Sequence, residues 1–255
     1  HFSTAALHVF CADCSTSPLG SIAEIQAVLR RAAQKTPPVE WVRGWGYHHA
    51  HLADHGHPTR HDLDEAVPDR PAILMHFSHH QCVANSRALA SAGITRATPD
   101  PPGGEIARDK SGEPTGLLFE RAMGLCEVKS REGWEARFSE VAAAASRRYA
   151  GAGITTVQDA AVSPRAAQRY LEAARAGHLG IRVQIPLKIF VDGGYRCAMR
   201  LPKGGEMVTS GFLFYQRGKL ADLLVSAWHR GWSVTCHAIG NLGIETCVGA
   251  IEDAL

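Results

Sequence analysis

Three polar features in the second half of the chain could bind a cation or move a proton, and each falls where an inferred strand ends. Asp159 closes ITTVQD, Lys188 lies inside LKIFVD with Asp192 at its end, and His237 closes WSVTCH. A lysine within an apolar strand is costly as an ammonium unless it is paired or chemically modified. Two readings are open for Lys188. It pairs with Asp192 or Asp159, or its amine takes up carbon dioxide and becomes an anionic oxygen ligand able to bridge two cations. His237 also has two readings, a satisfied core imidazole or a metal and acid-base group, since an imidazole carries both a donor and a lone pair near neutral pH. At the carboxyl ends of parallel strands such groups converge on one pocket, so residues distant in sequence can share an ion.

Two other clusters invite a metal reading. Six histidines lie between His48 and His61, namely His48, His49, His51, His55, His57 and His61. Their irregular spacing among Gly and Pro reads as a solvated loop. Cys11 and Cys14 form a CxxC with no second pair, which reads as ordinary thiols. Seven scattered cysteines, an odd number, fit reduced thiols in a cytoplasmic protein better than a disulfide framework.

The elements that must position these groups follow from periodicity. In GWSVTCHAIGN, Trp232, Val234 and Cys236 alternate with Ser233 and Thr235, which predicts a short, largely buried strand ending at His237; Gly240 and Asn241 break it, and a helix runs to Leu255. Ser21 to Lys35 has a capping-box start and an apolar face, and so predicts an amphipathic helix. Strands are expected over Val39 to Tyr47 and Pro71 to Phe77, a helix over Ala84 to Ala92 near an Asn85 or Ser86 cap, and a hairpin from Glu105 to Phe119. Beyond Glu132 strands alternate with helices, as parallel βα units require. The chain therefore reads as one domain over residues 1–255, with residues 152–255 as a βα core and residues 19–128 as an elaboration carried on it.

Composition narrows the partners. With 255 residues, 45% of them hydrophobic, the chain can bury a sizeable core. Its net charge of +2 is not gathered into a basic arm or stripe, which argues against nucleic acid or an anionic membrane and for a small-molecule substrate. No run of about 18 apolar residues is present for a membrane span. The chain starts at His1 and stops inside an expected helix, so both ends read as cut.

The ordered series GWGY (44–47), RHDLDEAVPDRPA (60–72), HFSHHQCVANSRALASAGI (76–94), TPDPPGGEIARDKSGEPTGLLFE (98–120), AGITTVQDA (152–160), KIFVDGG (188–194) and HAIGN (237–241) resembles the amidohydrolase superfamily of metal-dependent hydrolases, in the branch of N-substituted formamide deformylases and YtcJ-like hydrolases. The resemblance implies an α/β fold, an incomplete TIM-type (β/α) barrel with an α+β elaboration inserted near the N-terminus. It implies one or two divalent ions, usually zinc. By this resemblance Lys188 is the carboxylated lysine, His237 a metal-binding histidine, and His1 the second member of a His-x-His pair. His80, which precedes Asn85-Ser86, is carried over as a substrate-side group, as is Asp192, while Glu120 reads as a helix-start carboxylate. The implied reaction is hydrolysis of an amide or N-formyl C–N bond by water activated at the metal, in a protein that could form a homodimer. Departures accompany the match: the family's final aspartate would lie beyond the C-terminus, Asn241 stands where HAIGD is commoner, and the link from Val183 to Lys188 is short. This piece alone is accordingly expected to be inactive. A barrel remnant that binds a small molecule without turnover is the alternative, and a Schiff-base lysine at Lys188 a third reading.

Overall fold

The computed structural model describes residues 2, 8–15, 19–130, 137–160, 162–194, 197–203 and 206–255. They belong to two compact units, one spanning Phe10–Gly133 and the other joining His1–Val9 to Trp134–Leu255.

The Phe10–Gly133 unit, called here the sheet unit, runs β1 (Ala12–Asp13), α1 (Ile22–Lys35), β2 (Val42–Tyr47), a single 3-10 turn (His49–His51), α2 (Arg60–Ala66), β3 (Ala72–His76), β4 (Gln81–Ala84), α3 (Ser86–Ser91), β5 (Gly104–Arg108), β6 (Pro114–Glu120) and α4 (Met123–Ser130). Helix α1 begins where the capping box predicts: Ser21 Oγ accepts the Glu24 amide, and Glu24 Oε2 accepts the Gly20 amide at 2.7 Å. Asn85 caps α3 by accepting the Ala88 amide. Six strands form one mixed sheet in the order β1-β2-β3-β4-β6-β5, with β1, β2 and β3 parallel and the remaining neighbours antiparallel. Both faces are buried. Val42, Leu74 and Val83 join α1 residues Ile25 and Leu29 in one core, while Ile73, Cys82, Ala84, Ile106 and Leu118 form another. Double-sided burial is why PAILMHF reads as an unbroken apolar run.

Several elements of this unit were not anticipated, α2 and β4 among them. Helix α2 is short and begins with a reciprocal cap in which Asp62 Oδ2 accepts the Thr59 amide at 2.7 Å. Strand β4 is four buried residues with no alternation to betray it.

The other unit, the βα unit, continues with α5 (Phe138–Gly151), β7 (Thr156–Gln158), α6 (Pro164–Arg175), β8 (Arg182–Gln184), β9 (Leu187–Phe190), β10 (Met199–Lys203), β11 (Glu206–Ser210), α7 (Arg217–His229), β12 (Val234–His237) and α8 (Asn241–Ala254). The expected alternation is present, and β7 with β8 and β9 with β12 pair in parallel. An antiparallel hairpin, β10 with β11, was not foreseen. Among the described residues these strands make three separate two-stranded ladders, so a mixed α/β fold with parallel βα pairs is present, but no closed barrel is drawn by its hydrogen bonds. The short link explains one gap. Only Ile185 and Pro186 separate β8 from β9, far fewer residues than a parallel crossover needs.

Strand β12 is also less buried than its alternation implies: Trp232 lies outside it and is 57% exposed, and Val234 to His237 are only partly buried. The reason is one-sided packing. Leu187, Ile189 and Val191 share a core with Val234, Cys236 and Ala238 and with Leu220, Leu224 and Cys247 of α7 and α8. The opposite face of the β9 and β12 pair carries Phe190, which is 40% exposed.

Candidate functional site

In the βα unit, the parallel register pairs Lys188 with Thr235 and Phe190 with His237. Side chains alternate along a strand and paired residues point to the same side, so Lys188, Phe190, Thr235 and His237 share the face turned away from α7 and α8. Lys188 Nζ lies 5.2 Å from the centre of the Phe190 ring, and that ring is 5.3 Å from the imidazole of His237. Burial lowers the Lys188 pKa below that of an ordinary lysine, opposed by the neighbouring Cys236 thiol. Among the described residues no carboxylate pairs with Lys188. Of the two expected partners, Asp159 accepts the Tyr170 hydroxyl at 2.6 Å, and Asp192 is engaged with the backbone.

Asp192, expected on the substrate side, is engaged with backbone amides in the structure. It is fully buried, and its carboxylate accepts three amides: Oδ1 from Ile239 at 3.0 Å, Oδ2 from Gly240 at 2.7 Å and from Ala198 at 3.1 Å. The turn after His237 is thus tied to the end of β9. Two glycines allow the approach, because a Cβ on Gly240 would lie 1.9 Å from the Ala198 carbonyl oxygen and one on Gly243 2.3 Å from Asp192 Oδ2. Asn241, where the family's carboxylate is commoner, bonds the backbone of Arg200 in both directions, at 2.7 and 2.9 Å. His1 lies outside the described residues.

In the sheet unit the six-histidine stretch is not simply a solvated loop. Strands β2 and β3 are parallel neighbours, so their carboxyl ends bring His48 and His49 beside His76. A bulge sets the aim: Trp45 pairs with Met75 and Tyr47 with His76, leaving Gly46 unpaired at φ 98°. The nitrogens of His48, His49 and His76 lie within 4.8 Å of one another, and His49 Nδ1 is 3.2 Å from His76 Nε2. His57 stacks on His49 at 4.0 Å and hydrogen-bonds the Tyr47 hydroxyl at 2.9 Å. His48 stacks on His51 at 4.1 Å and on Phe77 at 4.4 Å. Burial and the crowding of like rings bring the His76 pKa down to about 3 and that of His57 to about 4, and burial also lowers those of His48 and His49. The signal was present in the sequence, since two expected strands end at Tyr47 and Phe77, and adjacent parallel strands would make their ends converge.

His80 donates from Nδ1 to Glu120 Oε2 at 2.9 Å, with the Glu120 side chain 7% exposed. Glu120 ends β6 at φ 50° rather than starting a helix, and its amide bonds the His80 carbonyl at 3.0 Å. A left-handed residue other than glycine costs conformational energy, so this pair is held by its surroundings.

The sequence pattern of the amidohydrolase family matches residues 1–254. N-substituted formamide deformylase from Arthrobacter pascens is 33% identical over 291 residues, covering 99% of this chain and 54% of that protein. The YtcJ amidohydrolase of Bacillus subtilis (strain 168) is 31% identical, covering 89% of this chain and 49% of its own. The chain therefore spans about half the length of the curated relatives it matches. Among solved structures, an uncharacterized metal-dependent hydrolase from Pyrococcus furiosus superposes with a TM-score of 0.67 at 22% identity, covering 100% of this chain and 56% of the other. One from Pyrococcus horikoshii OT3 gives 0.69 at 20% identity, over 99% of this chain and 54% of the other. These two establish likeness of fold, and together with the family pattern and the closer relatives they lead to one statement: the chain belongs to the amidohydrolase family.

Proposed function

We propose that the chain forms part of a metal-dependent amidohydrolase that hydrolyses a C–N bond, an amide or N-formyl group, of a small molecule. The observation that supports it most is the β9 and β12 register, which sets Lys188 and His237 on one face of a parallel pair, away from the helix-packed side. The donors suit a divalent ion. His237 offers an imidazole, and Lys188 has a lowered pKa and no carboxylate partner among the described residues. Its neutral amine can add carbon dioxide, forming an N–C bond and releasing one proton to give a carbamate. His237 and that carbamate would hold the ion, zinc by resemblance, with His1 as a further donor. A divalent ion bound there supplies a Lewis acid that polarises a carbonyl and acidifies water.

The chain's own residues set the stage for that chemistry. Asp192 fixes the turn that follows His237, and Phe190 flanks both candidate donors. Seven cysteines, an odd number, fit a reducing cytoplasm. No helix among the described residues is long and apolar enough to cross a membrane.

The test uses the full-length enzyme with a panel of N-formyl and N-acyl amines. Metal content and turnover should fall together in Lys188→Ala and His237→Ala, by more than about 100-fold in turnover, since even outer-shell losses cost 10–100-fold. Undiminished amidase activity after chelator treatment would overturn the reading.

A further inference from the structure

We propose that His48, His49 and His76 form a three-histidine site for a divalent transition-metal ion within the sheet unit. All three offer imidazole nitrogens, donors that suit zinc, cobalt, nickel or copper rather than the oxygen-seeking magnesium or calcium. The spacing agrees with coordination. With metal–nitrogen bonds of about 2.0–2.1 Å, tetrahedral ligands sit roughly 3.3–3.4 Å apart, and His49 Nδ1 is 3.2 Å from His76 Nε2. The His48 nitrogen lies within 4.8 Å of both, so a modest turn of a half-exposed ring closes the triad.

The surroundings hold these rings in place. His76 is 2% exposed, and its Nδ1 accepts the Ser78 amide at 3.3 Å and lies 2.8 Å from Ser78 Oγ. Nε2 therefore carries the proton in the metal-free protein and donates it to His49 Nδ1. An ion bound at Nε2 takes that proton's place, and the proton moves to Nδ1, where Ser78 Oγ accepts it and the long Ser78 amide contact is given up, so none is lost from the ring. A hydroxyl fixing the far nitrogen of a ligand histidine is the arrangement metal sites use to set ring orientation. His57 stacked on His49, and His51 with Phe77 stacked on His48, confine the other two rings. Three protein donors leave a fourth position for water or a ligand atom. Both strand ends and the Gly46 bulge belong to the sheet unit, so the site needs no residue of the βα unit.

The experiment uses the whole 255-residue chain carrying Lys188→Ala and His237→Ala, stripped with chelator and titrated with cobalt(II). One cobalt per chain is expected, with the visible absorption of a four-coordinate ion. Adding His48→Ala or His49→Ala should weaken binding at least 30-fold with far-UV circular dichroism unchanged, whereas His61→Ala should leave it intact. His76 is buried and its replacement can unfold the chain, so the ring signals of the parent are followed by NMR as zinc is added, and those of His49 and His76 should shift together. Cobalt bound with equal affinity by a folded His48→Ala/His49→Ala protein, or ring signals that zinc leaves in place, would overturn the proposal.

Discussion

Replacing Asp192 with alanine removes the acceptor of three amides at once. The carboxylate is fully buried and receives N–H groups from Ala198, Ile239 and Gly240 at 2.7 to 3.1 Å. A buried donor left without an acceptor costs about 1–3 kcal/mol, so three cost about 3–9 kcal/mol if none finds a substitute. Water entering the space that the carboxylate vacates recovers part, leaving an expected loss of about 3–5 kcal/mol. Asp192→Asn keeps one oxygen but turns an NH2 group toward an amide donor, and should lose about 2–3 kcal/mol. Urea unfolding of the full chain measures the loss, and hydrogen exchange should show the amides of Ile239 and Gly240 newly unprotected. A second perturbation sharpens the logic. Gly243→Ala places a Cβ 2.3 Å from Asp192 Oδ2, an overpacking that costs about 1–3 kcal/mol. In the Asp192→Ala background the two closest atoms, Oδ2 and Cγ, are gone and only the residue 192 Cβ remains near, at 3.1 Å, so the double substitution should cost clearly less than the sum of the two. An Asp192→Ala chain within about 1 kcal/mol of the parent, or strict additivity with Gly243→Ala, would refute the anchoring role.

Three further outcomes are expected. Gly46→Ala forces a side chain into φ 98° and within 3.2 Å of Ser15, so it should lower stability by about 1–3 kcal/mol and weaken cobalt binding in the same titration; a neutral substitution would remove the bulge from the account. Glu120→Gln keeps an acceptor for His80 but loses its charge, for an expected cost of about 1–2 kcal/mol by urea unfolding, and an unchanged midpoint would argue against the pair. His76 and His57, held near 3 and 4, stay neutral in the folded chain while the unfolded chain takes up protons near 6.5. The metal-free protein should therefore have the full contribution above about pH 6.5 and lose it as pH falls, with about 2 kcal/mol from each group, about 3–4 kcal/mol together, gone by pH 5; equal stability at about pH 5 and pH 7.5 would contradict this.

What the sequence disclosed was whatever its periodicity and caps encode locally. Helix α1 follows from Ser21 and Glu24, the β5 and β6 hairpin from its turn residues, and the strand ending at His237 from its alternation. Lys188 stood out because an amine in an apolar run demands an explanation. The rest depended on pairing. Asp192 resembled a site carboxylate because it ended a strand, but only the approach of Ile239, Gly240 and Ala198 shows that backbone amides engage both of its oxygens. Likewise, the histidines looked irregular along the chain because their order is set by a neighbouring strand and by a bulge at Gly46, neither of which leaves a periodic trace. Helix α2 and strand β4 were too short for a pattern to be read.

The register that joins Leu187 to Val234 also spans the widest stretch of sequence of any ladder among the described residues. Hairpins such as β3 with β4 or β10 with β11 close after a few residues, whereas β9 can meet β12 only once a long intervening segment has already lost much of its freedom. The order of events in refolding follows from this. Closing this ladder carries the largest loop-closure cost of any described, so local hairpins and capped helices are expected to form ahead of the face that carries Lys188 and His237.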